Sequence, residues 1–281
     1  MGVLFTGHRG FLGRELIPKL QEHADIKVFE GDVRNFSELY KFVKANKVQK
    51  VIHGAAKVAR RNKVETVQDL EDNLIMGANI IRLELPTLTF CSGKIFGSQF
   101  SIDGLTESQA GEVYPSDFYG QSKYFFKSIT RENSNISLCR FFNVFGVTEA
   151  KDRFIKANIV RYLNKKPMVI HQDLIMDTFY VSDALFLMRD WINDLGIPKE
   201  VNMVYEEKYF LSEICSLING LRGHQVPIII ENNKLGNNYF GDSTIFSSLK
   251  YSLMGIKNGL LQVLKSLEID NGYSFMNKAS R

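Results

Sequence analysis

A short apolar run, Gly2 to Thr6, is followed at once by Gly7-His8-Arg9-Gly10-Phe11-Leu12-Gly13, and a helical pattern continues through Leu16, Ile17 and Leu20. Strand, glycine turn and helix in this order open a nucleotide-binding α/β sheet, and no other stretch of the chain restricts the fold as strongly. The first glycine makes the tight turn, the second lets backbone approach a pyrophosphate, and the third lets the helix pack on the strand. Free amides at the helix start can then receive phosphate. The turn from Gly7 to Gly13, with Arg9, Gly10, Phe11 and Leu12, is therefore a candidate dinucleotide site, although an ordinary strand-to-helix turn can look similar. Pro18 lies inside the helical pattern and is expected to distort the helix or end it early.

Apolar runs alternate with helical patterns through the first half. Ile26 to Phe29, Val51 to His53, Leu88 to Cys91 and Ser137 to Phe141 read as strands, and 36–47, 66–83 and 117–131 as helices. Such alternation predicts an α/β chain with a Rossmann-type, doubly wound parallel sheet whose ligands lie beyond the carboxyl ends of its strands. The second half is less regular. It predicts a basic helix at 152–164, a strand near Val169, a helix at 183–194, a strand at Val201 to Val204, and helices near 211–220 and 258–267. The expected division is a Rossmann domain of 1–147 and 178–205, interleaved with a smaller substrate-binding lobe of 148–177 and 206–281. Asn277 to Arg281 read as a frayed end.

A chain of 281 residues that is 44% hydrophobic can bury a large core. Its net charge of +4 is too mild to predict a nucleic-acid partner. Cys91, Cys139 and Cys215 are odd in number and lack metal-ligand spacing, which predicts free thiols in a reducing cytoplasm and no metal. No run approaches the roughly 20 apolar residues of a membrane span, and the N-terminus does not read as a secretion signal. Met1 to Thr6 fits the bare myristoylation pattern, but the same residues are needed as a buried strand.

Tyr119 and Lys123, four apart on a predicted helix, share one face. Tyr40/Lys44 and Tyr162/Lys166 have the same spacing, so context must separate them. Tyr40 falls on an apolar face with Phe36, Leu39 and Val43 and reads as core or rim; Tyr162 lies in a basic amphipathic helix and reads as part of a solvated face. Tyr119 opens its helix after Pro115-Ser116-Asp117, where Ser116 or Asp117 can cap the start. The strand Leu88 to Cys91 ends in Ser92, at the sheet edge where a substrate carbonyl would lie. Hydride addition to a ketone leaves an alkoxide that needs a proton, and Tyr119 can donate it. Lys123 is expected to lower the phenol's pKa, and Ser92 to hold the carbonyl oxygen.

Together these residues resemble the extended short-chain dehydrogenase/reductases, the NAD-dependent epimerase/dehydratase group acting on nucleotide sugars. The resemblance runs through Thr6 to Gly13, Gly31-Asp32-Val33-Arg34-Asn35, Val51-Ile52-His53-Gly54-Ala55-Ala56, Asn73, Ser92, Tyr119/Lys123 and Arg140-Phe141-Phe142-Asn143-Val144-Phe145-Gly146. It implies that Asp32 and Val33 contact adenine, that Ala55, Ala56, Lys57 and Phe141 line the cofactor, and that Asn73 supports it. It also implies that Lys123 holds the nicotinamide ribose, that Ser92, Tyr119, Asn143 and Arg153 meet the substrate, and that the protein is a homodimer. Gly-His-Arg-Gly, Ala55 to Val58 and Asn79-Ile80-Ile81 are most similar to GDP-L-fucose synthases, yet Lys94 and Arg153 stand where those enzymes carry their epimerising cysteine and histidine. The 4,6-dehydratases carry Asp-Glu after the serine or threonine; here Gly93-Lys94 follows. Reduction of a 4-keto-6-deoxy nucleotide sugar is thereby favoured. A C4 epimerase with tightly held NAD and a non-catalytic dinucleotide-binding regulator are the alternatives.

Met176 replaces an arginine that in the family often contacts the diphosphate; Arg153, Lys156 and Arg161 are basic substitutes or simply a solvated face. Glu30 favours NAD and Arg9 favours NADP. Arg9 and Arg34 together tilt the expectation slightly to NADP. Lys57, Arg60, Arg61 and Lys63 either face phosphates or form a solvated loop. His53 is expected to shape its strand end, and Cys91 to pack within its strand.

Overall fold

The structure is a computed structural model that describes residues 1–58, 64–130, 133 and 135–270. Arg60, Arg61, Lys63 and the segment 277–281 lie outside the described residues.

The first half alternates as the sequence predicts. Strands β1 (Gly2–Thr6), β2 (Asp25–Val28), β3 (Val48–His53) and β4 (Thr87–Ser92) are separated by helices α1 (Phe11–Gln21), α2 (Phe36–Ala45) and α3 (Val67–Ile81). After β5 (Ile102–Leu105) come α4 (Phe118–Thr130), β6 (Ile136–Phe141), β7 (Val144–Phe145), α5 (Phe154–Leu163), β8 (Met168–Gln172), β9 (Phe179–Tyr180) and α6 (Ala184–Ile192). The chain then runs through β10 (Glu200–Met203), α7 (Leu211–Asn219), β11 (Ile228–Asn232), β12 (Tyr239–Gly241), α8 (Thr244–Ser248) and α9 (Gly255–Asp270). Six strands form one sheet in the order β10-β6-β4-β3-β1-β2, every pair parallel. Strand order reverses between β1 and β3, and a doubly wound sheet opens its binding crevice at such a point.

Alternate residues of β1 enter different cores. Val3 and Phe5 pack towards α1 and α6, and Leu4 packs towards α2 and α3. Burial on both faces explains why β1 reads as a continuous apolar run rather than an alternating one. Local caps fix the helix starts. The Asn35 side chain accepts from the Glu38 amide, and Thr66 and Asp69 form a reciprocal capping box. Gly77 brings α3 against α4, since a Cβ there would lie 2.5 Å from the Phe126 ring.

α5, β8, α7 and α9 surround a second core containing Ile155, Ile159, Ile214 and Leu264. Tyr162 belongs to it, contrary to the expected solvated face. It is fully buried, its hydroxyl donates to the His224 carbonyl over 3.1 Å, and its ring stacks on His224. Helix α5 turns this side onto α7 and α9 and leaves Arg161 to solvent. Tyr40 takes the rim position, 44% exposed beside Phe36.

Pro18 neither ends nor shortens α1, which continues to Gln21. It faces solvent while Leu16, Ile17 and Leu20 hold the opposite side in the core, so only one helical hydrogen bond is forgone. Among the described residues, no helix is long and apolar enough to cross a membrane.

Candidate active site

The glycine turn is built as a cradle. Gly7 has φ +82°, and a Cβ there would lie 2.7 Å from the backbone of Gly54 and Ala55 at the end of β3. A Cβ on Gly13 would lie 2.6 Å from the Gly7 carbonyl oxygen and the His8 Cα, so the third glycine seats α1 against the turn. Gly10 is exposed, begins α1, and donates its amide to the Gly7 carbonyl over 3.0 Å; no side chain caps this helix start. Backbone amides at the exposed Gly10 suit a pyrophosphate, and a Cβ there would lie only 3.2 Å from the Gly7 carbonyl oxygen. Phe11 and Leu12 are partly buried against the main core, and Arg9 is exposed.

Beside this turn, Thr6 Oγ1 bonds His53 Nδ1 over 2.8 Å and accepts from the Ala55 amide over 3.3 Å. Burial lowers the His53 pKa to about 3, aided by the nearby Lys123 charge, so its ring is neutral and orders the strand ends. Ala55 and Ala56 follow, partly exposed. Asn73 clasps the Lys57 backbone: its Oδ1 accepts from the amide at 2.7 Å and its Nδ2 donates to the carbonyl at 2.9 Å. The Lys57 side chain is left exposed. Asn73 thus shapes the loop after β3, and it also reaches Ser122 on α4 at 3.4 Å.

Beyond β2, Glu30 pairs with Arg9 and, over 3.2 Å, with His8. Arg34 is engaged by Asp32 at 2.6 Å and by buried Asp72 at 2.7 Å, so both arginines of the NADP expectation are paired with carboxylates. Val33 is buried in the core between the sheet and α2/α3, while Asp32 remains exposed at the rim.

Ser92, Tyr119 and Lys123 converge at the carboxyl end of β4. Ser92 ends the strand, and its Oγ accepts from the Lys94 amide at 3.3 Å, starting the tight turn Gly93–Phe96. Asp117 caps α4 by accepting from the Gly120 amide at 2.8 Å, and Glu65 accepts from the Tyr119 amide at 3.0 Å. One turn on, Lys123 Nζ donates to the Phe90 carbonyl at 2.9 Å and lies 5.4 Å from the centre of the Tyr119 ring. The expected lowering of the phenol's pKa is overturned. Burial pushes it up, Cys91, Asp117 and Glu65 add to the rise, and only the neighbouring Ser92 hydroxyl opposes it. Burial likewise lowers the pKa of Lys123. The phenol therefore holds its proton at neutral pH and is suited to donate it.

Tyr239 is a candidate site residue that sequence reasoning missed. Burial raises its pKa, Ser92 pulls it down, and Tyr119 pushes it up, so the two tyrosines share one serine. Its strand, β12, pairs with β5, and its ring meets Phe142 edge-on at 5.3 Å. No spacing or glycine pattern marks it. Phe141 is buried, packed edge-on against Phe90 and tilted against Phe179.

Of the residues expected to meet the substrate, Asn143 and Arg153 come together: Asn143 Oδ1 accepts from Arg153 Nη2 at 2.6 Å. Lys156 is buried instead, donating to the carbonyls of Val147 and Glu149 at 2.6 and 3.1 Å, and Arg161 is exposed. Met176, the replacement for the arginine, bridges to Tyr239. Asp177 accepts from Lys208 and from the Gly241 amide, both at 2.7 Å, and so anchors β12.

Glu149, 4% exposed, carries a buried oxygen without a hydrogen-bond partner among the described residues. Burial raises its pKa from 4.5 to about 8, against the pull of Arg153 and Lys156. A raised folded-state pKa contributes stability below the unfolded value, which is lost as pH rises through the folded one. Glu149→Gln is therefore expected to melt several degrees above the parent chain at pH 9, with the gap closing towards pH 4.5; equal melting curves across that range would refute the assignment. Among the described residues no group of three His, Cys, Asp or Glu could hold a metal ion.

The family model described as NAD dependent epimerase/dehydratase matches residues 3–202. GDP-6-deoxy-D-talose 4-dehydrogenase of Aggregatibacter actinomycetemcomitans is 26% identical over 247 residues, covering 81% of this chain and 82% of its own. The UDP-glucose 4-epimerase of Thermotoga maritima superposes with a TM-score of 0.79 at 16% identity, over 96% of this chain and 100% of that one. The GDP-mannoheptose C4 reductase of Campylobacter jejuni, solved with NADP, superposes with a TM-score of 0.77 at 16% identity, over 95% and 98% of the two chains. At these identities the likeness to solved structures is one of fold.

Proposed function

Because the chain belongs to the NAD dependent epimerase/dehydratase family, we propose that it is an NAD(P)-dependent oxidoreductase that reduces a 4-keto-6-deoxy nucleotide-diphospho-sugar. The observation that carries this reading is the placement of a partly buried Tyr119 beside Ser92, its phenol kept protonated, with Lys94 rather than a carboxylate or thiol two residues after the serine. Proton donation suits reduction, and Gly93 and Lys94 supply neither the carboxylates nor the thiol that would assist dehydration or epimerisation after Ser92.

The Gly7–Gly13 turn would hold the pyrophosphate, Asp32 and Val33 the adenine side, and Ala55, Ala56, Lys57, Asn73 and Phe141 the approach to the reacting centre. A bound nicotinamide supplies the hydride. Ser92 orients the carbonyl oxygen, Tyr119 delivers a proton to it, and Lys123 holds the ribose and keeps the phenol's surroundings polar. Asn143 and Arg153 receive the diphosphate. Arg9 favours NADP once its pairing with Glu30 yields to the extra phosphate.

Oxidation of NADPH on adding a GDP- or UDP-linked 4-keto-6-deoxy sugar tests the reading. Turnover of a 4-hydroxy sugar without net oxidation, on cofactor that stays with the protein, would instead establish the C4 epimerase. Exposed Val67 and Ile75 of α3 and Phe125 and Ile129 of α4 support a homodimer, for which sedimentation should give twice the chain mass. Cys91, Cys139 and Cys215 are buried free thiols, which supports work in the reducing cytoplasm.

A further inference from the structure

Three charged side chains from separate segments meet at the start of α4. Lys94 Nζ lies 3.2 Å from Asp117 Oδ1 and 4.0 Å from Glu65 Oε1. Both carboxylates already hold that helix: Asp117 Oδ1 accepts from the Gly120 amide, and Glu65 Oε2 from the Tyr119 amide. Asp117 Oδ2 also accepts from Ser98 at 3.2 Å. The Lys94 amide, meanwhile, donates to Ser92 Oγ. A single residue therefore joins the turn that carries the serine to the helix that carries the tyrosine.

We infer that Lys94 is a positioning residue, which sets the Ser92 hydroxyl and the Tyr119 phenol at their working separation by holding the Glu65 and Asp117 carboxylates at the start of α4. The inference rests on the proposed reductase reading for its catalytic consequence, but not for its geometry. Two carboxylates at one helix start favour its dipole yet repel each other, and the ammonium between them removes that repulsion. Without it the carboxylates separate, the amides of Tyr119 and Gly120 lose their acceptors, and the phenol drifts from the serine. Because small misplacements of reacting groups have large kinetic effects, kcat is the quantity that should respond.

Lys94→Met keeps the length of the side chain and removes its charge. It is expected to lower kcat about tenfold or more with the KM for sugar and cofactor within about twofold, and Lys94→Arg should restore most of the loss. Hydrogen exchange of the 116–124 segment, measured without substrate or cofactor, should quicken in Lys94→Met. Unchanged kcat, or a raised KM at unchanged kcat, overturns the inference. Should Lys94→Met fail to fold, Lys94→Gln decides: it keeps a polar side chain but loses the charge and leaves both carboxylates in place, so the same selective fall in kcat is expected and an unaltered kcat is fatal. If the parent chain reduces no 4-keto sugar, the reductase reading fails by itself, and the exchange rates alone judge Lys94, with parental rates in Lys94→Met overturning its role.

Discussion

Replacing Tyr119 by phenylalanine is expected to cut reductive turnover by roughly 10²–10⁴-fold while leaving cofactor affinity unchanged. The substitution removes one oxygen and keeps the ring, so Lys123, which faces the ring at 5.4 Å and bonds the Phe90 carbonyl, retains its place. What is lost is the proton. Burial holds that proton on the phenol throughout the neutral range, so the parent enzyme's reductive turnover should show no titration of Tyr119 between about pH 6 and 8. A Tyr119→Phe protein with near-parental kcat would remove Tyr119 from the reaction and leave Tyr239, its neighbour across Ser92, as the acid to examine. Cofactor titration by fluorescence separates this outcome from a folding defect, because an intact glycine turn still binds.

How much of the fold and of the candidate site is legible in the sequence depends on what is local and what is not. The glycine turn is legible because Gly7 and Gly13 lie against backbone that would not accommodate a Cβ, a constraint that leaves only one residue type. Strand β1 is legible because burial on both faces makes it a continuous apolar run. By contrast, β5, β7, β9 and β12 are two to four residues long and pair outside the main sheet, too short for any period to show. The paired strand β11 fares no better: its apolar start, Ile228-Ile229-Ile230, is followed at once by Glu231 and Asn232. Tyr239, the missed member of the candidate site, arrives on β12. Tyr162 misled for the opposite reason: its charged neighbours are visible in sequence, but the α7/α9 surface that covers it is not. The pKa of Tyr119 failed likewise, since the spacing to Lys123 is local whereas burial depends on the whole fold. Arg34 shows the same limit beyond β2, where Asp32 is two residues away but Asp72 is brought in by α3.

Arg140→Met is expected to destabilise the protein by about 3–5 kcal/mol, the usual loss when one partner of a buried ion pair is removed. Arg140 is fully buried on β6; it donates to Asn202 at 2.8 Å and to Glu200 at 2.6 Å on β10. Asn202 in turn accepts nothing further from Arg140 once methionine replaces it, although it still donates to the Leu105 carbonyl at 3.0 Å and its amide still meets Glu107 at 2.7 Å. Lys127, 3.3 Å from Glu200, remains to offset part of the exposed charge, which places the expected loss at the lower end of the range. The consequence reaches the site, because Arg140 stands beside Cys91 in the sheet and its guanidinium faces the Phe96 ring at 5.3 Å, beneath the turn that follows Ser92. Melting should therefore fall by roughly 6–15 °C for a chain of this size, and kcat measured well below the new midpoint should fall far less than in Tyr119→Phe. A melting temperature within about 2 °C of the parent chain would mean that the network holds without its arginine; a kcat loss as deep as that of Tyr119→Phe at full folding would mean that Arg140 acts on the chemistry itself.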